Sequence, residues 1–541
     1  MKTYDKDAWL KHIDSGIAQG PFRPDWDSLS EMRVPSWFGT KKLGIFIHWG
    51  PYSVPAFANE WYSRNMYIPG TEEYQHHIDT YGPHASFGYK DFIPKLTAER
   101  FDPKEWIRLF KEAGAGYIVP VAEHHDGFQM YDSELSDWNA VNMGPHRDIL
   151  KELKEAAEAE GMHFCTSSHR AEHWWFMGHG MEYDSDIRRA KTAAEEAEMT
   201  ESDAPRRFSD DTAFYRRDIP KSDPALQVPD PWDFYEPAMP ERDNFDMESE
   251  PAPDETYLTD WLIRTVELVD RYQPELLYFD WWIQHKAFRS YLLRFLAYYY
   301  NQGVRLGHPT AVCYKHEALA FGCGIVEVER GGFPDIKSFP WQTDTAVAWN
   351  SWCYTDSLSY KDSGVIIRTL VDTVSKNGNL LLNIGPKADG TIPEEDRKIL
   401  ADLGAWMRIN GEAIRGAGPW RICKEGPRED HCGSFSEENG EYTEEDIRFT
   451  TNHGNLYAFL MKNPKDGVVR IRSLARKSGP DRPAYLGHIQ NVQLLGEDAP
   501  CSFEMNEDCM KICLPESFIE KSKRSGSDAM PGCLKISTSG K

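Results

Sequence analysis

The chain has 541 residues, 40% of them hydrophobic and 13% aromatic, enough for two or three domains with large cores. Its 61 Lys and Arg face 86 Asp and Glu, a formal net charge of −25 that argues against nucleic acid and anionic membranes as partners, since both need a basic footprint. Eighteen tryptophans offer ring faces of the kind sugars stack on, and serve equally well as the material of aromatic cores.

The opening stretch, MKTYDKDAWLKHIDSGIAQG, has no apolar core flanked by a cleavage site. No uninterrupted apolar run approaches the roughly 18–20 residues of a membrane span. The ten cysteines are scattered without a CxxC pair. Cys509 and Cys513 are spaced like half of a zinc site, but no second pair completes it. The expectation is a cytoplasmic protein with reduced thiols.

Residues 1–35 read as a helical lead-in and a Pro/Trp-rich connector. From there strand-like runs alternate with helical ones. LGIFIHWG (43–50) is the first strand. The helix FDPKEWIRLFKEAG (101–114) leads into AGYIVPVAEHHDGF (115–128), and the helix DILKELKEAAEAEG (148–161), stopped by Gly, into HFCTSSH (163–169). PELLYFDWW (274–282) gives a buried strand that delivers one carboxylate, Asp280, at its end. TAVCYKH (310–316), GIVEVER (324–330), WQTDTAV (341–347) and, after a helix over 363–378, NLLLNIGP (379–386) complete eight strands. That alternation predicts an α/β fold, a (β/α)8 TIM-like barrel over 36–417.

An insertion of charged residues, prolines and acids over 183–258 reads as a long surface loop. Beyond AIRGAGPWR (413–421) helical periodicity stops. The runs IRFTT, NLYAFLM, VVRIRSL, IQNVQLLG and MKICLP, separated by Gly, Asn and Asp, predict a small antiparallel β-sandwich over 418–541 without a catalytic cluster.

If the barrel forms, the polar residues at its strand ends converge on one face. They are His48; Glu60 and Trp61 in the following loop; Glu123, His124, His125 and Asp126; Ser167, Ser168 and His169, with Glu172 beyond; Asp280; Lys315, His316 and Glu317; and Glu327 and Glu329. Several His, a Lys, Trp faces and two or more carboxylates suit a ligand rich in hydroxyls. Paired carboxylates are what glycosidic cleavage requires, one at the oxocarbenium-like centre and one protonating the leaving oxygen. Neither a phosphate-binding Gly-rich loop nor a G-x-S-x-G elbow is present. A rival reading is a metal site from His48, His124, His125 and Asp280 that activates water. Against it, adjacent His124 and His125 reach one ligand only where the chain turns at a strand end.

LGIFIHWGPYSVPAFANEWYSRNMY, EHHDGFQMYDS, LLYFDWW and NGNLLLNIGPKADGTIPEEDRKIL, with the helix ending in WMRINGEAIRG, together resemble glycoside hydrolase family 29, the α-L-fucosidases, over roughly 30–417. The resemblance implies a retaining exo-enzyme that removes terminal α-linked L-fucose from oligosaccharides or glycoconjugates, with no metal or cofactor. It puts the nucleophile at Asp280 and sugar contacts at His48, Glu60, Trp61, His124, His125 and Tyr278. Lys315 stands where many members carry Arg, and TSSHRAEHW replaces a more usual Tyr-Tyr-Ser pattern. The acid/base varies within the family; Glu329 is the first candidate, then Glu327 and Glu317. Gln342 stands where many members carry Glu, so that position cannot be the acid. Three alternatives remain: a glycosidase of this fold acting on another sugar, such as L-galactose; a sugar-binding relative without activity; and the metal-dependent hydrolase.

Overall fold

The computed structural model of the chain describes residues 4–538 except 85, 178–179, 181–233, 235–251, 431, 438–439, 481 and 526–529. The expected insertion over 183–258 therefore lies almost wholly outside the described residues.

The apolar runs form β1 (Leu43–Ile47), β2 (Tyr117–Glu123), β3 (His163–Phe164), β4 (Thr166–Ser168), β5 (Leu276–Phe279), β6 (Ala311–Tyr314), β7 (Ile325–Glu329), β8 (Trp341–Ala346) and β9 (Gly378–Ile384). β3 and β4 are two pieces of one strand, and both pair with β2. All pairings are parallel, in the order β1-β9-β8-β7-β6-β5-β4-β2. β1 pairs back onto β2, with Gly44 opposite Tyr117, which closes an eight-position barrel. Gly44 is required there: a Cβ would stand 2.3 Å from the Tyr117 ring.

The outer helices are α1 (Lys6–Ala18), α2 (Pro103–Ala113), α3 (Ile149–Ala159), α4 (Arg170–Phe176), α5 (Glu255–Tyr272), α6 (Arg289–Leu306), α7 (Ser363–Ser375) and α8 (Glu394–Asn410). Their ends follow local rules. Asp102 caps α2 by accepting from the Lys104 and Glu105 N–H groups, Pro103 occupies its first turn, and Gly114 ends it in the left-handed region. The face carrying Trp106, Ile107, Phe110 and Ala113 is buried. Full burial of each large side chain is worth about 1.5–3 kcal/mol. Three charged residues of α5 are also buried, Glu267 and the pair Asp260 and Arg264. With Arg170 and Glu123 that pair forms an ion network behind the barrel wall, Arg170 bonding Glu123 at 2.6 Å and Asp260 at 2.9 Å.

The C-terminal region is two antiparallel sheets. One runs β10 (Gly418–Glu425), β11 (Ile447–Asn452), β12 (Asn455–Leu460), β17 (Gly532–Ser537), β14 (Asn491–Leu494). The other runs β13 (Val468–Ile471), β16 (Met510–Cys513), β15 (Ser502–Met505). The sequence reading misses β10, β15, β17 and the helix α9 (Glu516–Ser525). β10 opens on Gly-Pro, and β15 is only four residues long with neither face fully buried. β12 has two buried faces: Leu456, Ala458 and Leu460 enter the sandwich core, while Tyr457 and Phe459 join the barrel core, where Phe459 meets Trp406 of α8.

A second weld is ionic. Asp430 bonds Arg448 of β11 and Lys376 at 2.8 Å each and Lys424 at 3.0 Å. Arg448 and Lys376 also hold Asp372 of α7. Asp430→Asn leaves three cations around one carboxylate, two of them almost wholly buried, and is expected to cost about 3–5 kcal/mol. An unchanged urea midpoint for this variant would show that the cluster does not hold the two units together.

Candidate active site

A cavity of about 650 Å³ opens at the carboxyl ends of the strands, the place where barrels of this class carry their chemistry. The strands deliver its walls. His48 follows β1, Asp280 follows β5, Lys315 follows β6, Glu329 ends β7 and Asp344 lies on β8. His124 and His125 come just after β2, where the chain has left the strand, so both rings reach the cavity. Glu60, Trp61, His169 and Tyr278 line it as well.

Lys315 is the hub. Its buried Nζ donates to Asp280 Oδ1 and to Glu329 Oε2, each at 2.7 Å. Twice that distance, about 5.4 Å, is therefore the most that separates these two oxygens. The Trp281 N–H also donates to Asp280 Oδ1, at 2.8 Å. On the other oxygen, His169 Nδ1 lies at 2.9 Å and His125 Nε2 at 3.5 Å. Burial opposes the charge on Asp280, but Lys315, His169 and His125 outweigh it and hold the carboxyl well below the usual range. Glu329 goes the other way: burial raises it, Lys315 pulls it down, and the neighbouring Asp344 and Asp280 charges push it up, for a net rise. Two carboxyls of opposite tendency in one cavity suit a permanent anion paired with a proton donor.

The other walls are fixed by bonds away from the cavity. His48 Nδ1 meets Asn383 Oδ1 at 2.6 Å, His169 Nε2 meets Ser167 Oγ at 3.0 Å, and His125 Nδ1 lies 2.5 Å from Glu172. Burial lowers all four imidazoles, His48, His124, His125 and His169, which keeps them neutral and able to donate or accept toward hydroxyls. Glu60 accepts from the Trp352 N–H at 3.0 Å. Trp61 lies nearly parallel to Trp281, with centroids 6.2 Å apart. Tyr278 donates to Asp344 at 2.7 Å, and its ring lies 5.4 Å from Lys315 Nζ.

Not every residue read from the strand ends arrives. Glu123 turns outward to Arg170, and Asp126 accepts from Tyr89 OH at 2.7 Å. Glu327 points inward like Glu329 but lies deeper, where Gln342 donates to it at 2.7 Å and Tyr117 donates to Gln342 at 2.6 Å. Neither Glu327 nor Gln342 lines the cavity. Glu317 does line it, from an exposed left-handed turn. Five residues that the sequence did not single out complete the walls: Phe46 on β1, Asp344 on β8, Gln284 and Trp352 from loops, and Phe435 from the C-terminal region. The rival metal reading also gains proximity, since ligand atoms of His48, His124 and His169 lie within 4.8 Å of one another, as do those of His125, His169 and Asp280.

Comparison with known proteins places this geometry. Residues 10–412 match the family model described as Alpha-L-fucosidase, and 439–529 match that of the Alpha-L-fucosidase C-terminal domain. The human plasma α-L-fucosidase is 31% identical over 526 residues, covering 92% of this chain and 90% of that protein. The rat tissue α-L-fucosidase is 29% identical over 474 residues, covering 85% and 83%. Among solved structures, the Thermotoga maritima α-fucosidase in complex with fucose is 27% identical with a TM-score of 0.65, covering 95% of this chain and 99% of that one. A Thermotoga maritima α-L-fucosynthase gives 26% and 0.68, covering 96% and 100%. A closed parallel barrel with a β-sandwich behind it, a strand-end cavity of carboxylates, imidazoles and indoles, and matches along most of the chain establish that this protein belongs to the α-L-fucosidases of glycoside hydrolase family 29.

Proposed function

We propose that this α-L-fucosidase removes terminal α-L-fucose from oligosaccharides or glycoconjugates with retention of configuration, using Asp280 as nucleophile and Glu329 as general acid/base. What carries the reading is the pair of carboxyls joined through one lysine in one cavity, at most about 5.4 Å apart. Retaining enzymes place their carboxyls about 5–5.5 Å apart, too close for a water to attack between them. In the first step an Asp280 oxygen bonds the anomeric carbon as its bond to the glycosidic oxygen breaks, and Glu329 gives its proton to that oxygen. In the second, Glu329, now ionised, takes a proton from water, whose oxygen bonds the anomeric carbon and releases Asp280.

The depressed pKa of Asp280 keeps it anionic for attack, and the raised pKa of Glu329 favours holding a proton there. His48, His124, His125 and Glu60 offer bonds to the sugar's hydroxyls, and Trp61 and Tyr278 offer ring faces. The preference for fucose over an L-galactose-like sugar is tested by a panel of aryl glycosides.

Asp280→Gly is expected to lose nearly all turnover and to recover part of it with azide, which occupies the vacated space. A variant with normal turnover removes Asp280 from the role. Glu329→Ala is expected to slow natural glycosides severely and activated aryl fucosides far less, with azide giving a fucosyl azide of retained configuration. If Glu327→Ala or Glu317→Ala shows that leaving-group pattern and Glu329→Ala does not, the acid is reassigned. Overnight dialysis against a strong chelator is expected to leave the rate unchanged. Loss that returns with zinc or manganese would favour the two histidine clusters as metal sites.

A further inference from the structure

Phe435 belongs to the loop between β10 and β11, yet it lines the catalytic cavity. It is 68% exposed, among the most exposed large apolar side chains described. Its backbone sits in the left-handed region at φ 55°, which costs a non-glycine residue roughly 1–3 kcal/mol and persists only where the surroundings enforce it.

The surroundings do enforce it. The Phe435 N–H donates to the Glu329 carbonyl at 2.8 Å, and the Ser436 and Glu437 N–H groups donate to the Arg330 carbonyl at 2.8 and 3.0 Å. Gly332 and Gly433 exchange two backbone bonds. A Cβ on the adjacent Gly331 would stand 1.9 Å from the Gly433 oxygen, so only glycine allows this approach. Glu437 is the anchor, accepting from Arg330 at 2.9 Å and from Lys361 at 2.8 Å, and also from Thr345. A flexible loop would need none of this. The clamp fixes the backbone of a residue whose apolar ring faces water, and bonds that backbone to the residue assigned as proton donor.

We propose that Phe435 is the stacking platform for the leaving group, taking the pyranose ring bonded to fucose in a saccharide substrate. The inference rests on the assignment of Glu329: the oxygen it protonates belongs to the leaving group, so the surface beside Glu329 and outside the fucose position is where that group lies. An exposed ring on a backbone fixed there offers ring-face contact at a reduced ordering cost. The sandwich region thus supplies a specificity-determining residue to the barrel's site.

The test is Phe435→Ala and Phe435→Trp on two substrates, a fucosylated trisaccharide and α-L-fucosyl fluoride, whose leaving group has no ring to stack. The alanine variant is expected to lose about tenfold in kcat/KM on the trisaccharide, equivalent to about 1.4 kcal/mol, with fluoride hydrolysis within twofold of the parent. The tryptophan variant is expected to retain trisaccharide activity. Unchanged trisaccharide kinetics in the alanine variant overturns the proposal. So does an equal fall on both substrates, because Phe435 would then only brace Glu329. Azide rescue of Glu329→Ala is read separately: its absence moves the acid to another residue without altering the ratio that reports on Phe435.

Discussion

The site depends on a buried ammonium shared by two carboxylates. Without Lys315, Asp280 and Glu329 would face each other as like charges in a medium of low dielectric, and one of them would hold a proton on that account alone. With it, the asymmetry has a direction. Asp280 has the lysine, a backbone N–H and two imidazoles around it; Glu329 has the lysine and two neighbouring carboxylates. Burial acts on both groups in the same sense, so their neighbours decide which one ionises. A lysine suits this place as a point charge with three donors that satisfies two acceptors in different directions, where the planar fork of an arginine favours one.

That arrangement is set by a polar layer beneath the cavity floor. β7 and β8 run side by side with Glu327 opposite Gln342 and Glu329 opposite Asp344. Two residues along a strand return to the same face one layer higher. Glu327 and Glu329 thus share an orientation and differ in depth. The lower one is enclosed with Gln342 and Tyr117, and burial together with the Asp344 charge drives its carboxyl well above the usual range. The upper one meets the cavity and Lys315. A difference of one layer separates an acid enclosed with Gln342 from one that faces the cavity and Lys315.

Much of this was legible in the chain itself, for a physical reason. Parallel strands buried on both faces leave long apolar runs, and the polar residue that ends each run falls at the rim, so His48, Asp280, Lys315 and Glu329 could be named from alternation alone. The turn after β2 resolves the objection to adjacent His124 and His125, since side-chain alternation stops where the strand does. Other features left no local signal. Glu123 and Glu329 both end a strand, and only the position of Arg170 on α4 tells which is drawn out of the cavity. β17 is central in its sheet although its run, GCLKIS, is short and only its last four residues alternate. Phe435 lies in a run of Gly, Ser and Glu, far along the chain from the barrel, and its place follows from backbone bonds that side-chain patterns do not encode.

The order of the chain gives the sandwich a consequence in time. β17, residues 532–537, lies between β12 and β14, so the five-stranded sheet stays divided until that segment pairs on both sides. β12 in turn carries the aromatic side chains that settle on the barrel. During synthesis from the N-terminus the eight barrel strands leave the ribosome first and can begin to close on their own. The wall beside Glu329 must wait for the loop at 433–437, which follows all eight barrel strands; β10, β11 and β12 around it pair with one another, and only β14 waits for β17. A nascent chain therefore presents all eight barrel strands, with Asp280 and Glu329 on them, before the segment that finishes that side of the cavity has been made.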